Sequence, residues 1–103
     1  MKILATIRVI PIGTSSTSLS NYVAEVVKIL EKKGIRYVIT PFNTAVELEN
    51  LKLLNDLIEE ISSRLRSIGV MRIAIDIQLD LRFDKEISLE YKVESVKKKL
   101  DEV

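Results

Sequence analysis

The chain of 103 residues contains no cysteine and no histidine. Disulfides and thiolate metal sites are therefore excluded. The commonest general base and the commonest metal ligand are missing as well. A Ser-His-Asp triad cannot form within this chain, and a zinc site would rest on carboxylates alone. Aromatic residues make up only 5% while hydrophobic residues reach 47%. The core must then be built mostly from Ile, Leu and Val, a composition suited to sheets covered by helices. No excess of one charge exists either: the net charge is +1, too little to argue for nucleic acid or an anionic membrane as partner. No leader-like or membrane-spanning run is visible, so the expected residence is cytoplasmic.

What is present is periodic. Lys2 to Ile10 alternates in strand fashion, with Ile3, Ala5, Ile7 and Val9 on one side and Leu4, Thr6, Arg8 and Ile10 on the other. Pro11 and Gly13 are expected to end it. The hydroxyl-rich run from Gly13 to Ser18 reads as a loop. Leu19 to Lys33 predicts a helix, with Leu19, Tyr22, Val23, Val26, Val27 and Leu30 as its apolar stripe and Ser18 as its N-cap. Ile35 to Thr40 and Thr44 to Glu49 predict two strands joined by a tight turn at Pro41 to Asn43. Asn50 then caps a helix running to about Ile68. Val70 to Phe83 predicts a long strand, and Ser88 opens a last helix with Leu89, Val93, Val96 and Leu100 along one edge. Its Lys97-Lys98-Lys99 end reads as a solvated terminus that suits the helix dipole.

The order β-α-β-β-α-β plus a helix predicts one domain over residues 1–103. The fold class is α+β: a ferredoxin-like sandwich with a four-stranded antiparallel sheet and an extra C-terminal helix. Two helices cover only one face of such a sheet. The other face should carry Leu4, Thr6, Arg8 and Ile10 beside Arg72, Asp76, Gln78, Asp80 and Arg82. Either it is a polar surface, with Arg8 paired to Asp76 or Asp80, or it meets a second copy of the chain.

The turn between the short strands gathers the most chemistry. Asn43 supplies donors and an acceptor, and Thr44 a hydroxyl. Glu47 is a strand carboxylate that is costly to bury unless paired. It could accept two N–H bonds from an aminopyrimidine. A turn-forming Asn43 and an exposed Glu47 are the plain alternative. Thr14 and Ser18 lie where a helix N-terminus could hold an anion, though no phosphate-loop spacing is present. Phe42 and Tyr37 are the aromatic platforms available for stacking.

Three segments, Val9-Ile10-Pro11-Ile12-Gly13-Thr14, Ser18-Leu19-Ser20-Asn21-Tyr22-Val23 and Thr40-Pro41-Phe42-Asn43-Thr44-Ala45-Val46-Glu47, carry a resemblance, and Asp84-Lys85 followed by Ser88-Leu89-Glu90-Tyr91-Lys92-Val93 extends it. In their order and spacing the chain resembles the thiamine-binding, or YkoF-like, protein family. The resemblance implies a sheet-mediated homodimer, often a dimer of dimers. It implies a pocket near the dimer interface for thiamine or its hydroxymethylpyrimidine part. By position, Asn43, Thr44 and Glu47 would be its polar contacts, with Thr14 and Ser18 as further candidates. The chain departs from the family pattern at Leu48, where a glycine usually follows the glutamate.

Together these readings predict a non-catalytic binding protein with no required cofactor and no metal site. Its partners would be itself and a small molecule, with neither nucleic acid nor membrane. An oligomeric interaction module without a vitamin ligand is the alternative.

Overall fold

Alternation in the first strand resolves into a sheet with two different faces. The computed structural model describes residues 2–102. Its elements are β1 (Ile3–Ile12), α1 (Ser20–Lys32), β2 (Arg36–Ile39), β3 (Thr44–Leu48), α2 (Leu51–Ser67), β4 (Arg72–Leu81) and α3 (Leu89–Asp101). The strands run in the order β2-β3-β1-β4, and every neighbouring pair is antiparallel. This is the expected ferredoxin-like α+β arrangement.

On one face Ile3, Ala5 and Ile7 of β1 join Val46 and Leu48 of β3. Val26, Ile29 and Leu30 of α1 and Leu54, Leu57, Ile61 and Leu65 of α2 close over them. These helical positions recur at the three- and four-residue spacing that puts side chains on one stripe. Burying each Leu or Ile there contributes roughly 1.5–3 kcal/mol.

The opposite face is ordered by strand register. Arg36, Glu47, Leu4 and Asp80 form one cross-strand row, and Val38, Ala45, Thr6 and Gln78 the next. Beyond them Arg8 stands across from Asp76, Ile10 from Ala74 and Ile12 from Arg72. Arg8 makes no ion pair with Asp76 or Asp80 among the described residues; Asp80 pairs with Lys92 of α3 instead.

Two expectations need correction. Pro11 does not end β1, which continues to Ile12 and keeps Pro11 opposite Ile73. β3 pairs with β1 only as far as Ile7. Beyond that point β1 has a free side, where a residue without an N–H is tolerated. Nor does Ser18 cap α1. Leu19 holds the cap position in a near-helical conformation (φ −105°, ψ −2°) with no side-chain cap bond, and Tyr22 and Val23 donate their N–H groups to its carbonyl at 3.0 Å. Ser18 lies one residue outside this position, its hydroxyl 3.1 Å from that of Ser20.

Asn50 and Ser88 do act as caps. Both backbones are extended, and their side chains accept from Leu53 N at 2.8 Å and Tyr91 N at 3.1 Å. Among the described residues no helix is long and apolar enough to cross a membrane.

The caps and the core separate in urea unfolding. Asn50→Ala is expected to cost about 1 kcal/mol, whereas Ser18→Ala should stay within about 0.5 kcal/mol. Leu57→Ala, at a fully buried position, should cost about 2–5 kcal/mol. Equal losses for Ser18 and Asn50 would contradict the capping assignment.

Candidate functional site

Thr44 and Glu47 are three residues apart in β3, so their side chains leave opposite faces of the sheet. Thr44 sits with Ile7 and Ile39 on the helix-covered face. Glu47 sits with Leu4 and Arg36 on the other. The structure thus divides the candidate residues between two places.

The first place is a cavity of about 180 Å³ where β1 runs on past the end of β3. Val9, Leu19, Val23, Val26 and Ile39 give it an apolar wall, Phe42 an aromatic rim, and Thr40, Asn43 and Thr44 its polar side; Arg8 also borders it. Thr40 organises the turn. Its hydroxyl accepts from Phe42 N at 3.2 Å and Asn43 N at 3.0 Å, and can donate to Asn43 Oδ1 at 2.9 Å. Asn43 is therefore a turn former through its oxygen, while its amide N–H₂ has no partner among the described residues. Thr44 is only 5% exposed. Its hydroxyl makes no bond to another described side chain, yet it is not a sealed, unsatisfied group, because no such group exists among the described residues. It lines the cavity as an available donor and acceptor.

The second place is the other face beneath the start of α3. The Glu47 side chain is 4% exposed. Its Oε1 accepts from Leu89 N, the first N–H of α3, at 3.1 Å. Its Oε2 accepts from Lys2 Nζ at 3.3 Å and lies 3.9 Å from Arg36 Nη1. A buried carboxylate needs such partners, and a helix N-terminus with its free N–H groups is a natural one. Beside it lies a shallow groove of about 420 Å³ bordered by Leu4, Thr6, Ala45, Gln78, Asp80 and Lys92. Two further ion pairs, Arg36 with Glu90 and Lys92 with Asp80, hold the same first turn of α3. The Lys85 ammonium donates to the Tyr91 hydroxyl and draws that phenol below its usual pKa.

The remaining candidates line neither place. Thr14 Oγ1 donates to Ser16 O at 3.0 Å, and Ser18 N donates to Ser16 Oγ at 3.1 Å, so the first loop bonds to itself. Tyr37 donates to Glu31 at 2.7 Å, a bond that raises its pKa above the usual tyrosine value. Leu48 is buried in the core opposite Ile3, so its side chain enters neither cavity. Sequence reasoning missed Thr40, Lys2, Arg36 and the Leu89 N–H. The first was visible as a hydroxyl at a turn start, but a backbone donor carries no residue signature. No cluster of acidic residues able to hold a metal ion occurs among the described residues.

With this geometry in place, comparison with known proteins is informative. A family model described as thiamine-binding protein matches residues 5–97. The UPF0045 protein YqgV of Bacillus subtilis is 44% identical over 101 residues, covering 94% of this chain and 96% of its own. A UPF0045 protein of Methanothermobacter thermautotrophicus is 40% identical over 98 residues, covering 95% of this chain and 99% of its own. Among solved structures, a hypothetical protein of Methanocaldococcus jannascii superposes with a TM-score of 0.82 at 25% identity, over 93% of this chain and 96% of that one. A Thermotoga maritima protein, named provisionally for thiamine biosynthesis or salvage, superposes with a TM-score of 0.78 at 22% identity, over 93% and 99% of the two chains.

The Glu47 clamp predicts a local effect. Glu47→Ala leaves the Leu89 N–H and Lys2 without their acceptor and should cost about 1–3 kcal/mol. Amide hydrogen exchange is expected to quicken over residues 89–92 and not in α2. Uniform exchange changes across the chain, or none, would refute the clamp.

Proposed function

The chain belongs to the thiamine-binding protein family, and from that premise we propose that it is a non-catalytic binding protein for thiamine or its hydroxymethylpyrimidine part. The observation that carries this reading is the Thr44 hydroxyl, nearly buried yet unbonded to other side chains, in the wall of an apolar cavity. Ligand sites have this character: an apolar enclosure with a few convergent polar groups. The Asn43 amide N–H₂ stands beside it as a donor to a ring nitrogen, and Phe42 offers a face for stacking. At about 180 Å³ the cavity is below the ~300–1,000 Å³ of drug-sized sites, so a single ring suits it best. The Thermotoga protein's provisional name points to the same vitamin.

A sheet-mediated dimer belongs to this reading. Arg8, Ile10 and Ile12 lie outside the groove that α3 borders, and Arg8 also lines the cavity. A second copy packed there would stand next to the ligand. Glu47 acts from a distance in this scheme, holding α3, while Thr44 and Asn43 touch the ligand. Residence in the cytoplasm, where such a carrier would meet the vitamin, is part of the proposal. The absence of His and Cys from the chain and the engagement of Glu47 by its own neighbours favour binding over catalysis.

A second reading, an oligomeric interaction module, is favoured by one observation: the strand carboxylate best suited to an aminopyrimidine is already bound within the chain.

Titration calorimetry with thiamine and with hydroxymethylpyrimidine separates the two. Binding heat is expected for at least one, and Thr44→Val should weaken it about tenfold, the equivalent of one hydrogen bond at about 1.4 kcal/mol. Thr14→Ala should leave the affinity within about twofold, as its hydroxyl lies outside the cavity. If neither compound gives heat or a thermal shift at millimolar concentration, the module reading replaces the vitamin reading.

A further inference from the structure

α3 has no buried residue. Every side-chain hydrogen bond or ion pair joining it to other parts of the described chain starts in its first four residues, through Leu89 N, Glu90, Tyr91 and Lys92. Beyond them the helix makes no side-chain hydrogen bond or ion pair to the sheet among the described residues and meets it only along a groove beside Val38 of β2. Its apolar residues are nevertheless regular. Leu89, Val93, Val96 and Leu100 follow one another at intervals of four, three and four, the seam spacing of a coiled coil. Val93, Val96 and Leu100 are 54%, 58% and 67% exposed. Val38 of β2 extends the patch, sharing a groove of about 260 Å³ with Leu89, Val93, Glu94 and Lys97.

We infer that this seam is an interface with α3 of a second copy of the chain, the two helices running antiparallel. Two observations choose that partner and that direction. The seam reads Leu-Val-Val-Leu in both directions, so a two-fold axis between Glu94 and Ser95 sets Leu89 against Leu100 and Val93 against Val96 of the other copy. A closed two-fold contact of this kind requires a self-complementary patch. The net charges differ in the same sense: Glu90, Lys92 and Glu94 leave the first half of α3 with a net −1, while Lys97, Lys98, Lys99 and Asp101 leave the second with a net +2. Antiparallel pairing brings unlike halves together, whereas parallel pairing superposes like on like.

A membrane surface fits less well. Amphipathic surface helices carry Lys and Arg along the polar face and Trp or Phe among their apolar residues. Here acidic Glu90, Glu94, Asp101 and Glu102 offset Lys92, Lys97, Lys98 and Lys99, and the seam is wholly aliphatic. Two heptads are short for a free-standing pair of helices, so the seam works with the neighbouring Val38 surface. This inference is independent of the ligand.

Sedimentation equilibrium of the full chain tests it. The wild type is expected above its single-chain mass of 11.7 kDa. A Val93→Glu, Val96→Glu double variant should fall to half the wild-type mass at equal concentration. Its circular dichroism should hold, since neither residue is buried within the chain. A wild type at single-chain mass, or a double variant of unchanged mass, overturns the inference. Direction is read by cross-linking, because the chain has no native cysteine. Mixed Val93→Cys and Val96→Cys chains should oxidise to the hetero-linked pair; Val93→Cys linking mainly to itself would contradict the antiparallel order. Pelleting of a monomeric wild type with phosphatidylserine vesicles, abolished in the double variant, would give the seam to a membrane instead and overturn the pairing.

Discussion

An odd separation in a strand sends two side chains to opposite sides, and the three-residue step from Thr44 to Glu47 imposes that division on β3. The consequence is physical rather than formal. Thr44 enters the layer between sheet and helices, where α1 and the turn at Thr40 enclose a small cavity. Glu47 enters the other face, where the sheet alone cannot satisfy a carboxylate. Two groups of one short strand therefore meet two separate demands. The hydroxyl is left available by its surroundings, and the carboxylate is fully occupied by its own.

The occupied carboxylate explains where α3 begins. A charge removed from water must be paired and hydrogen-bonded. Lys2 supplies charge from β1's end of the sheet, and the Leu89 N–H supplies a bond from a helix whose first amide groups have no internal partner. Each side meets the other's need. The same contact shields Leu4, which would otherwise lie on the solvent side of β1 and is instead buried. Because the clamp acts on the first turn only, it fixes the helix's origin and leaves its later turns without a polar tie to the sheet among the described residues. One row of the sheet is thus closed within the chain, the Thr6 row borders the groove beside α3, and the rows from Arg8 to Ile12 stay open.

Much of this was legible in the sequence, for local reasons. Period-two alternation in β1 and β4, helical stripes in α1 and α2, and cap residues Asn50 and Ser88 all express constraints contained in a few neighbouring residues. The shared face followed from them: Leu4, Thr6, Arg8 and Ile10 do lie on one side with Asp76, Gln78 and Asp80, although the register that pairs them was not legible. Ser18 misled because several hydroxyls in succession compete for one cap, and only backbone conformation chooses among them. Pro11 misled because its cost depends on whether a third strand flanks β1, which residue type does not reveal. The partner of Glu47 lies 42 residues away and is a backbone N–H, a group every non-proline residue has. The parity separating Thr44 from Glu47 was present in the sequence throughout, but the resemblance grouped them by position and not by face.

The division of polar groups also bears on which part of a thiamine-like ligand the cavity favours. Thiamine joins a neutral aminopyrimidine to a cationic thiazolium ring. No carboxylate borders the cavity at the hairpin, and the one charged side chain there is Arg8. In a partly enclosed site a guanidinium repels a second cation more strongly than it would in water. The hydroxyl of Thr44 and the amide of Asn43 are neutral and can donate to ring nitrogens, which suits a pyrimidine and offers a thiazolium nothing. A cation would find its complement on the other face, near Asp76, which stands across from Arg8 and makes no ion pair among the described residues. If the proposed vitamin reading holds, a one-ring cavity with neutral Thr44 and Asn43 and a cationic Arg8 at its border favours seating the pyrimidine inside, with any attached thiazolium turned out toward the open face.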